Sequence, residues 1–348
     1  VKKFHVGIIG YGRAAAAHID AINATGQAKV SAVYSSRELD SKQVNNRHGG
    51  AIACYNDLGS LLADTDLDIV SVCTYPHDHI RFGLAVAQAG KHLIIEKPLA
   101  LNLEDCRRIR DAAEKANVEV CVCFEYRFSN QFEVTRSVID ENLLGKIHYG
   151  EVDYYNGIGP WNNQYRWNTK KVSGGSSLLS AGCHAMDALL YCMDADVMTV
   201  SSYATASVNP DFHKYEYATT SVTLLKFVDG RVGKVASVID CIQPYYFHVH
   251  LVGSEGSLLD DKLHTKRIRG LDKTQWTRLS MKKLDISDID DHPYQTQFTA
   301  FFNALTSGKP MPLTGLTQAM KTHTVIAAAD LSAQENRPVK LSELRTSA

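Results

Sequence analysis

A chain of 348 residues exceeds what one hydrophobic core normally serves, so two domains are expected. Its 37 Lys and Arg against 38 Asp and Glu leave no whole-molecule field to gather nucleic acid or an anionic membrane, which favours a small-molecule partner. The cysteine pairs Cys121/Cys123 and Cys183/Cys192 lack the second knuckle or the histidine spacing of a zinc site. They read as reduced thiols, and no metal is expected. With no apolar leader after Val1 and no window of membrane-spanning length, the expected location is cytoplasmic.

In chain order, short apolar runs at Phe4 to Ile9, Val30 to Tyr34, Ala51 to Cys54, Ile69 to Cys73, His92 to Ile95 and Glu119 to Cys123 alternate with amphipathic stretches. That is the pattern of a parallel sheet doubly wound with helices, and it places a Rossmann domain in residues 1–124. After Tyr126 the texture changes to longer alternating segments: Ile147 to Tyr155, Met198 to Ser207, Ala218 to Phe227, Val232 to Ile239 and Phe247 to Val252. Hairpin turns at Asp229-Gly230 and Ser254-Glu255-Gly256 suit a large, open, mainly antiparallel sheet covered by helices on one face. Helices are expected at Ser177 to Met193, Pro293 to Ser307 and Leu316 to Asn336, and the charged stretch from Lys262 to Asp291 reads as an excursion without regular structure. Residues 125–348 thus form an α/β substrate domain. A C-terminal helix can pack back on the first domain, and the open sheet offers a surface for a homo-oligomer, dimer or tetramer.

The first strand runs into Gly10-Tyr11-Gly12-Arg13-Ala14-Ala15 and then an alanine-rich helix. In such a turn Gly10 permits the tight bend and Gly12 leaves room for a pyrophosphate. Small Ala15 lets helix pack on strand, while the helix N-terminus presents amides to phosphate. The second strand ends in Ser35-Ser36-Arg37, where an NAD enzyme usually carries a carboxylate for the ribose hydroxyls. Two hydroxyls and a guanidinium suit a 2′-phosphate, so NADP is expected over NAD.

The segment Ala89-Gly90-Lys91-His92-Leu93-Ile94-Ile95-Glu96-Lys97-Pro98-Leu99-Ala100 resembles the AGKHVxxEKPLA signature of the Gfo/Idh/MocA oxidoreductases. The loop from Thr74 to His79, Tyr126-Arg127-Phe128, Gly174-Gly175 and the run from Gly182 to Asp187 extend the likeness over nearly the whole chain. The resemblance implies a Rossmann domain joined to an α/β domain with a large open sheet. It places Lys97 and His184 at the substrate, and Thr74, His79, Glu96 and Lys97 near the cofactor. The family motif often has a cis bond before its proline. Chemistry agrees with the two main assignments: an ammonium at Lys97 would stabilise a developing alkoxide, and neutral His184 could take a proton as hydride leaves the same carbon. Ser180, His184 and Asp187 are spaced to share one helix face, so Ser180 and Asp187 can touch or orient the imidazole. Here the chain departs from the family, whose aspartate falls on Ser180. The loop also reads Thr74-Tyr75-Pro76-His77 in place of Thr-Pro-Asn-His.

Tyr126 and Arg127, and the aromatic loop from Asn156 to Lys171 with Trp161, Tyr165, Arg166 and Trp167, supply faces and donors that suit a polyhydroxylated ring. The expected activity is NAD(P)-dependent oxidation or reduction of a sugar, inositol or related polyol. Two alternatives are an enzyme that keeps its cofactor and uses transient oxidation for elimination, epimerisation or glycoside cleavage, and a dinucleotide-binding regulator without turnover.

Overall fold

The computed structural model describes residues 3–284 and 292–344, which divide into two compact units. One comprises residues 3–128 with 292–320, the other residues 129–284 with 321–344.

In the first unit six strands, β1 Phe4–Ile9, β2 Ala28–Tyr34, β3 Ala53–Tyr55, β4 Ile69–Val72, β5 His92–Ile95 and β6 Val120–Val122, lie in the order β3-β2-β1-β4-β5-β6. All five pairings are parallel. This is the Rossmann order, and the strand order reverses between β1 and β4, which opens a crevice beyond their carboxyl ends. The helix Arg13–Ala24 buries Ala15, Ile19 and Ile22 in a core that also contains Tyr294, Phe298, Phe301 and Phe302. The last four lie on the helix Tyr294–Ser307, which is distant in sequence but belongs to this unit.

In the second unit nine strands follow the order β14-β13-β12-β11-β7-β10-β9-β8-β15. They are β7 Ile147–Tyr155, β8 Val197–Thr205, β9 Thr220–Phe227, β10 Val232–Val238, β11 Tyr246–Gly253, β12 Gly256–Leu259, β13 Lys262–Thr265, β14 Thr277–Arg278 and β15 Val339–Lys340. The sheet is antiparallel except where β10 pairs parallel with β7. The helix Cys183–Met193 covers one face. A Cβ on Gly150 would come within 2.6 Å of the Met193 sulfur, and one on Gly233 within 3.0 Å of Leu189, so both glycines let the helix settle on β7 and β10. Because side chains alternate along a strand, Tyr149, Glu151, Asp153 and Tyr155 point to the opposite face.

The stretch expected to be irregular after Lys262 is corrected in part. It contains β13 and β14, while residues 285–291 lie outside the described residues. Strands of four and two residues are too short to show a period; β13 is set by its pairing with β12, with Leu258 opposite Leu263, and β14 by its pairing with β13. The expected helix Ser177 to Met193 is also modified: Leu178–Gly182 forms a π turn before the α-helix Cys183–Met193.

Candidate functional site

The glycine turn after β1 lies at the switch point of the first sheet. Gly10 has φ +93°, and a Cβ there would approach the Cys73 carbonyl oxygen to 2.9 Å and the Thr74 methyl to 3.1 Å, so only glycine fits between the ends of β1 and β4. A Cβ on Gly12 would meet nothing within 4 Å, and the helix that begins after Gly12 has no side-chain cap. A helix N-terminus leaves several amides without intrahelical acceptors, and this one opens onto room for an anion. Thr74 adds a second signal, because its buried hydroxyl has no hydrogen-bond partner among the described residues. An orphaned hydroxyl beside an uncapped helix fits a dinucleotide. Gly10, Tyr11, Gly12, Arg13 and Ala14 would frame its pyrophosphate.

At the end of β2 the buried Ser35 hydroxyl accepts from the Arg37 amide at 3.1 Å, while Ser36 and Arg37 are exposed. The Arg37 guanidinium donates to the Tyr11 carbonyl at 3.0 Å. This holds a planar cation beside the glycine turn, and a guanidinium has five N–H donors in all.

Lys97 follows β5 and is half-buried, and the Lys97–Pro98 peptide bond is cis. Glu96, expected among the cofactor contacts, instead has its carboxylate turned into the protein. Its Oε1 accepts from the Tyr294 hydroxyl and faces His18 Nε2 at 2.9 Å, and its Oε2 accepts from the Lys97 amide at 3.2 Å. Burial alone would raise the Glu96 pKa. The His18 bond and charge, with the charge of Lys97, overcome that and lower it to about 2. On His18 burial opposes the cation, but Cys73 and Glu96 hold the value well above the ordinary histidine range. The pair is a buried salt bridge. His79 also faces inward, with Nδ1 2.7 Å from the Pro98 carbonyl and Nε2 3.1 Å from the Thr74 carbonyl. Burial outweighs these two carbonyls and lowers its pKa; a neutral ring has one N–H to donate, and Pro98 at the shorter distance is the carbonyl best placed to accept it. Tyr126 packs edge-on against His292 with centroids 5.5 Å apart, and Arg127 donates to the Leu313 carbonyl at 2.9 Å. Both side chains are buried.

In the second unit His184, Asp187 and Ser180 are all buried. Asp187 Oδ1 accepts from the Thr322 hydroxyl at 2.8 Å, which ties the His184 helix to the helix Leu316–Glu335. Ser180 lies in the π turn with its buried hydroxyl lacking a hydrogen-bond partner among the described residues, and the Tyr217 hydroxyl donates to the Asn168 carbonyl at 2.7 Å. Gly174 makes space for this cluster, since a Cβ there would fall 2.5 Å from the Tyr217 hydroxyl. Gly182 brings the π turn against β10, where the Ser237 hydroxyl donates to the Ser177 carbonyl at 2.8 Å. The aromatic loop folds around Trp161, whose Nε1 donates to the Gly157 carbonyl at 3.0 Å while 59% of the residue stays exposed. Arg166 is exposed and Trp167 half-buried on the short helix Tyr165–Asn168. An open groove of about 570 Å³ is lined by Asn156, Trp161, Asn162, Asp211 and Gln243.

Sequence reasoning missed Tyr217, Asn168 and Asp330. The Asp330 carboxyl accepts from Ser176 at 2.8 Å, and burial raises its pKa to about 6. None of the three lies in a motif. The aromatic spacing of Tyr215 and Tyr217 was the available signal for a buried phenol beside the His184 helix.

Two family models match the chain: an oxidoreductase family with an NAD-binding Rossmann fold over residues 4–124, and the C-terminal α/β domain of the same family over residues 136–341. A myo-inositol 2-dehydrogenase of Thermotoga maritima is 27% identical over 97% of this chain and 99% of its own length. A scyllo-inositol 2-dehydrogenase (NADP(+)) of Bacillus subtilis is 24% identical over 98% and 97%. The solved structure of a levoglucosan dehydrogenase in complex with NADH and levoglucosan shares the fold, with a TM-score of 0.84, 20% identity and coverage of 98% and 99%. With both domain models matched in order, the chain belongs to the Gfo/Idh/MocA family of NAD(P)-binding oxidoreductases.

Proposed function

We propose that this protein transfers hydride between NADP(H) and a hydroxyl or keto carbon of a sugar, inositol or related polyol. The observation that carries the reading is the orphaned Thr74 hydroxyl beside the uncapped, glycine-framed helix, on the same sheet edge as the loop bearing Lys97. When bound, the nicotinamide supplies the hydride acceptor or donor. Lys97 supplies fixed positive charge for an oxygen that becomes alkoxide-like, and His184 takes up its proton as neutral imidazole. Asp187 holds the histidine's helix through Thr322, and Ser180 leaves a buried hydroxyl, without a partner among the described residues, on the π turn that precedes it. No step requires a metal ion. Support for a polyol substrate comes from the names of the relatives and from Trp161, which offers an exposed aromatic face beside amide groups.

NADP(H) is preferred over NAD(H) in this reading because the second strand ends without a carboxylate and Arg37 is held at the glycine turn. Binding titrations with both cofactors test this, since Arg37→Ala should reduce the preference for the phosphorylated one. A preference for NAD(H), or a ratio that ignores Arg37, would remove the clamp. A cofactor-coupled screen of sugars and polyols, read by the absorbance of reduced nicotinamide, tests the reaction. Tightly copurifying cofactor with no net turnover would favour transient oxidation, and binding without any chemistry would favour a regulator.

A further inference from the structure

We propose that Glu151, His248 and His250 form a binding site for a borderline divalent metal ion of the zinc class on the open face of the second sheet. The site is independent of the dinucleotide reading, because it lies on the sheet face opposite the helix carrying His184.

The geometry follows from strand register. His248 and His250 are alternate residues of β11 and share a face, and on β7 Glu151 stands directly opposite His250. One ligand atom from each of the three lies within 4.8 Å of the other two. A tetrahedral zinc site brings its ligands to about 3.4 Å from one another, so modest side-chain rotation closes the set. Two imidazoles and one carboxylate select zinc-like ions over magnesium or calcium, and three protein ligands leave a fourth position for water.

The surroundings already orient one ligand. Tyr246 bridges His248 and Asp260: its oxygen lies 2.9 Å from His248 Nδ1, and its hydroxyl donates to Asp260 at 2.8 Å. Asp260 is fixed in turn by the Val249 amide at 2.9 Å. With Nδ1 carrying the proton, the Nε2 lone pair faces Glu151 Oε1 at 4.0 Å. A carboxylate behind a histidine in this way is the usual support of a metal ligand. On the far side, the Tyr149 hydroxyl donates to Glu151 Oε2 at 2.9 Å, and its ring stands edge-on to His250.

Charge balance leaves room for a dication. Glu151, Asp153 and Asp260 supply three carboxylates, against which Lys234 bonds Glu151 Oε1 at 2.7 Å and Asp153 at 2.6 Å. Lys234 does not block the site. It rises from β10, on one side of β7, whereas the imidazoles come from β11 on the other side, and a carboxylate offers about four lone-pair positions. Glu151, His248 and His250 are half-buried, so solvent can deliver the ion.

The experiment titrates chelator-stripped full-length protein with zinc chloride by calorimetry, and with cobalt(II) by visible absorption. One zinc per chain should bind, and cobalt should give the intense visible bands of a four- or five-coordinate nitrogen-ligated ion. His248→Gln with His250→Gln should abolish both signals, and Asp260→Asn should weaken zinc about ten- to hundredfold. Absence of zinc binding, binding unchanged in the double variant, or a weak octahedral cobalt spectrum would each overturn the site. Should the double variant fail to fold, the cobalt spectrum of the parent protein still decides.

Discussion

Lys97 and His184 differ from ordinary surface groups in how their neighbours constrain them. Lys97 is half-buried on a loop fixed at both ends, by Glu96 through its amide and by His79 through Pro98, while His184 is wholly enclosed on its helix. If they handle charge and proton in the reaction, Lys97→Ala and His184→Ala should each lower kcat by about a hundredfold or more, with little change in cofactor affinity measured by fluorescence titration. Near-normal turnover in both would overturn the mechanism. Ser180→Asp would put the family's carboxylate at a buried position whose hydroxyl has no partner among the described residues, and it should shift the pH profile upward by favouring the imidazolium; an unshifted profile would show that position 180 serves the π turn and not the imidazole.

The His18–Glu96 pair supports a separate prediction about stability. Glu96 titrates below its ordinary value of 4.5, so its contribution is complete above that pH and is lost as pH falls toward about 2. His18 is raised, so its contribution is present below its ordinary 6.5 and is lost only as pH climbs through about 10. Both terms are therefore present near neutrality. Glu96→Gln should cost on the order of 3 kcal/mol in denaturant unfolding at neutral pH, by leaving a buried partner uncompensated. The gap from the parent protein should narrow as pH falls below 4.5. A gap that is constant with pH would mean that Glu96 acts through shape and not charge.

At the scale of the element, the π turn Leu178–Gly182 is the least regular feature near a proposed catalytic group, and π turns recur at functional sites because they re-aim the residues that follow. Its existence depends on Gly182, where a Cβ would fall 2.5 Å from both the Cβ and the hydroxyl of Ser237. Gly182→Ala should destabilise the protein by about 1–3 kcal/mol through overpacking, read by denaturant melts. A neutral result would show that the turn can relax away from β10. The sequence made the helix Ser177 to Met193 visible through its apolar residues but not the turn, since residues 177–189 are buried all round and leave no one-sided period for the turn to interrupt. Strands with four or more buried or alternating residues, such as Phe4–Ile9 and Ile147–Tyr155, were readable to within a residue or two. The parallel pairing of β7 with β10 was not, because the alternation of a half-covered strand is the same whichever way its neighbour runs. In the candidate site, the glycine turn and the lysine motif were legible because local backbone geometry demands those residues. The inward turn of Glu96 was not, because its partners His18 and Tyr294 are brought to it by tertiary packing across 78 and 198 residues of chain.

For the whole molecule, the open face of the second sheet raises the question of what covers it. On β8 and β9, Tyr203 is 70% exposed and stands opposite Val222 at 38%, and the next residue along the same face is Leu224 at 50%. Leu224 in turn stands opposite Lys234 of the charged cluster, so one face carries an apolar row beside a polar one. A contiguous apolar row of this kind on a wide sheet is a surface for association, and an isologous contact between two copies would bury it without further partners. We therefore expect a homo-oligomer, dimer or tetramer, formed through the β8–β9 part of this face. Size-exclusion chromatography with light scattering should give a mass of two or four chains, and Leu224→Asp should shift it toward one chain with circular dichroism unchanged, because burying a carboxylate in the row, even opposite Lys234, costs several kcal/mol of desolvation on the order seen for buried ions. A parent protein that stays monomeric at all concentrations would reject the association. An oligomer indifferent to Leu224→Asp would move the contact to another surface.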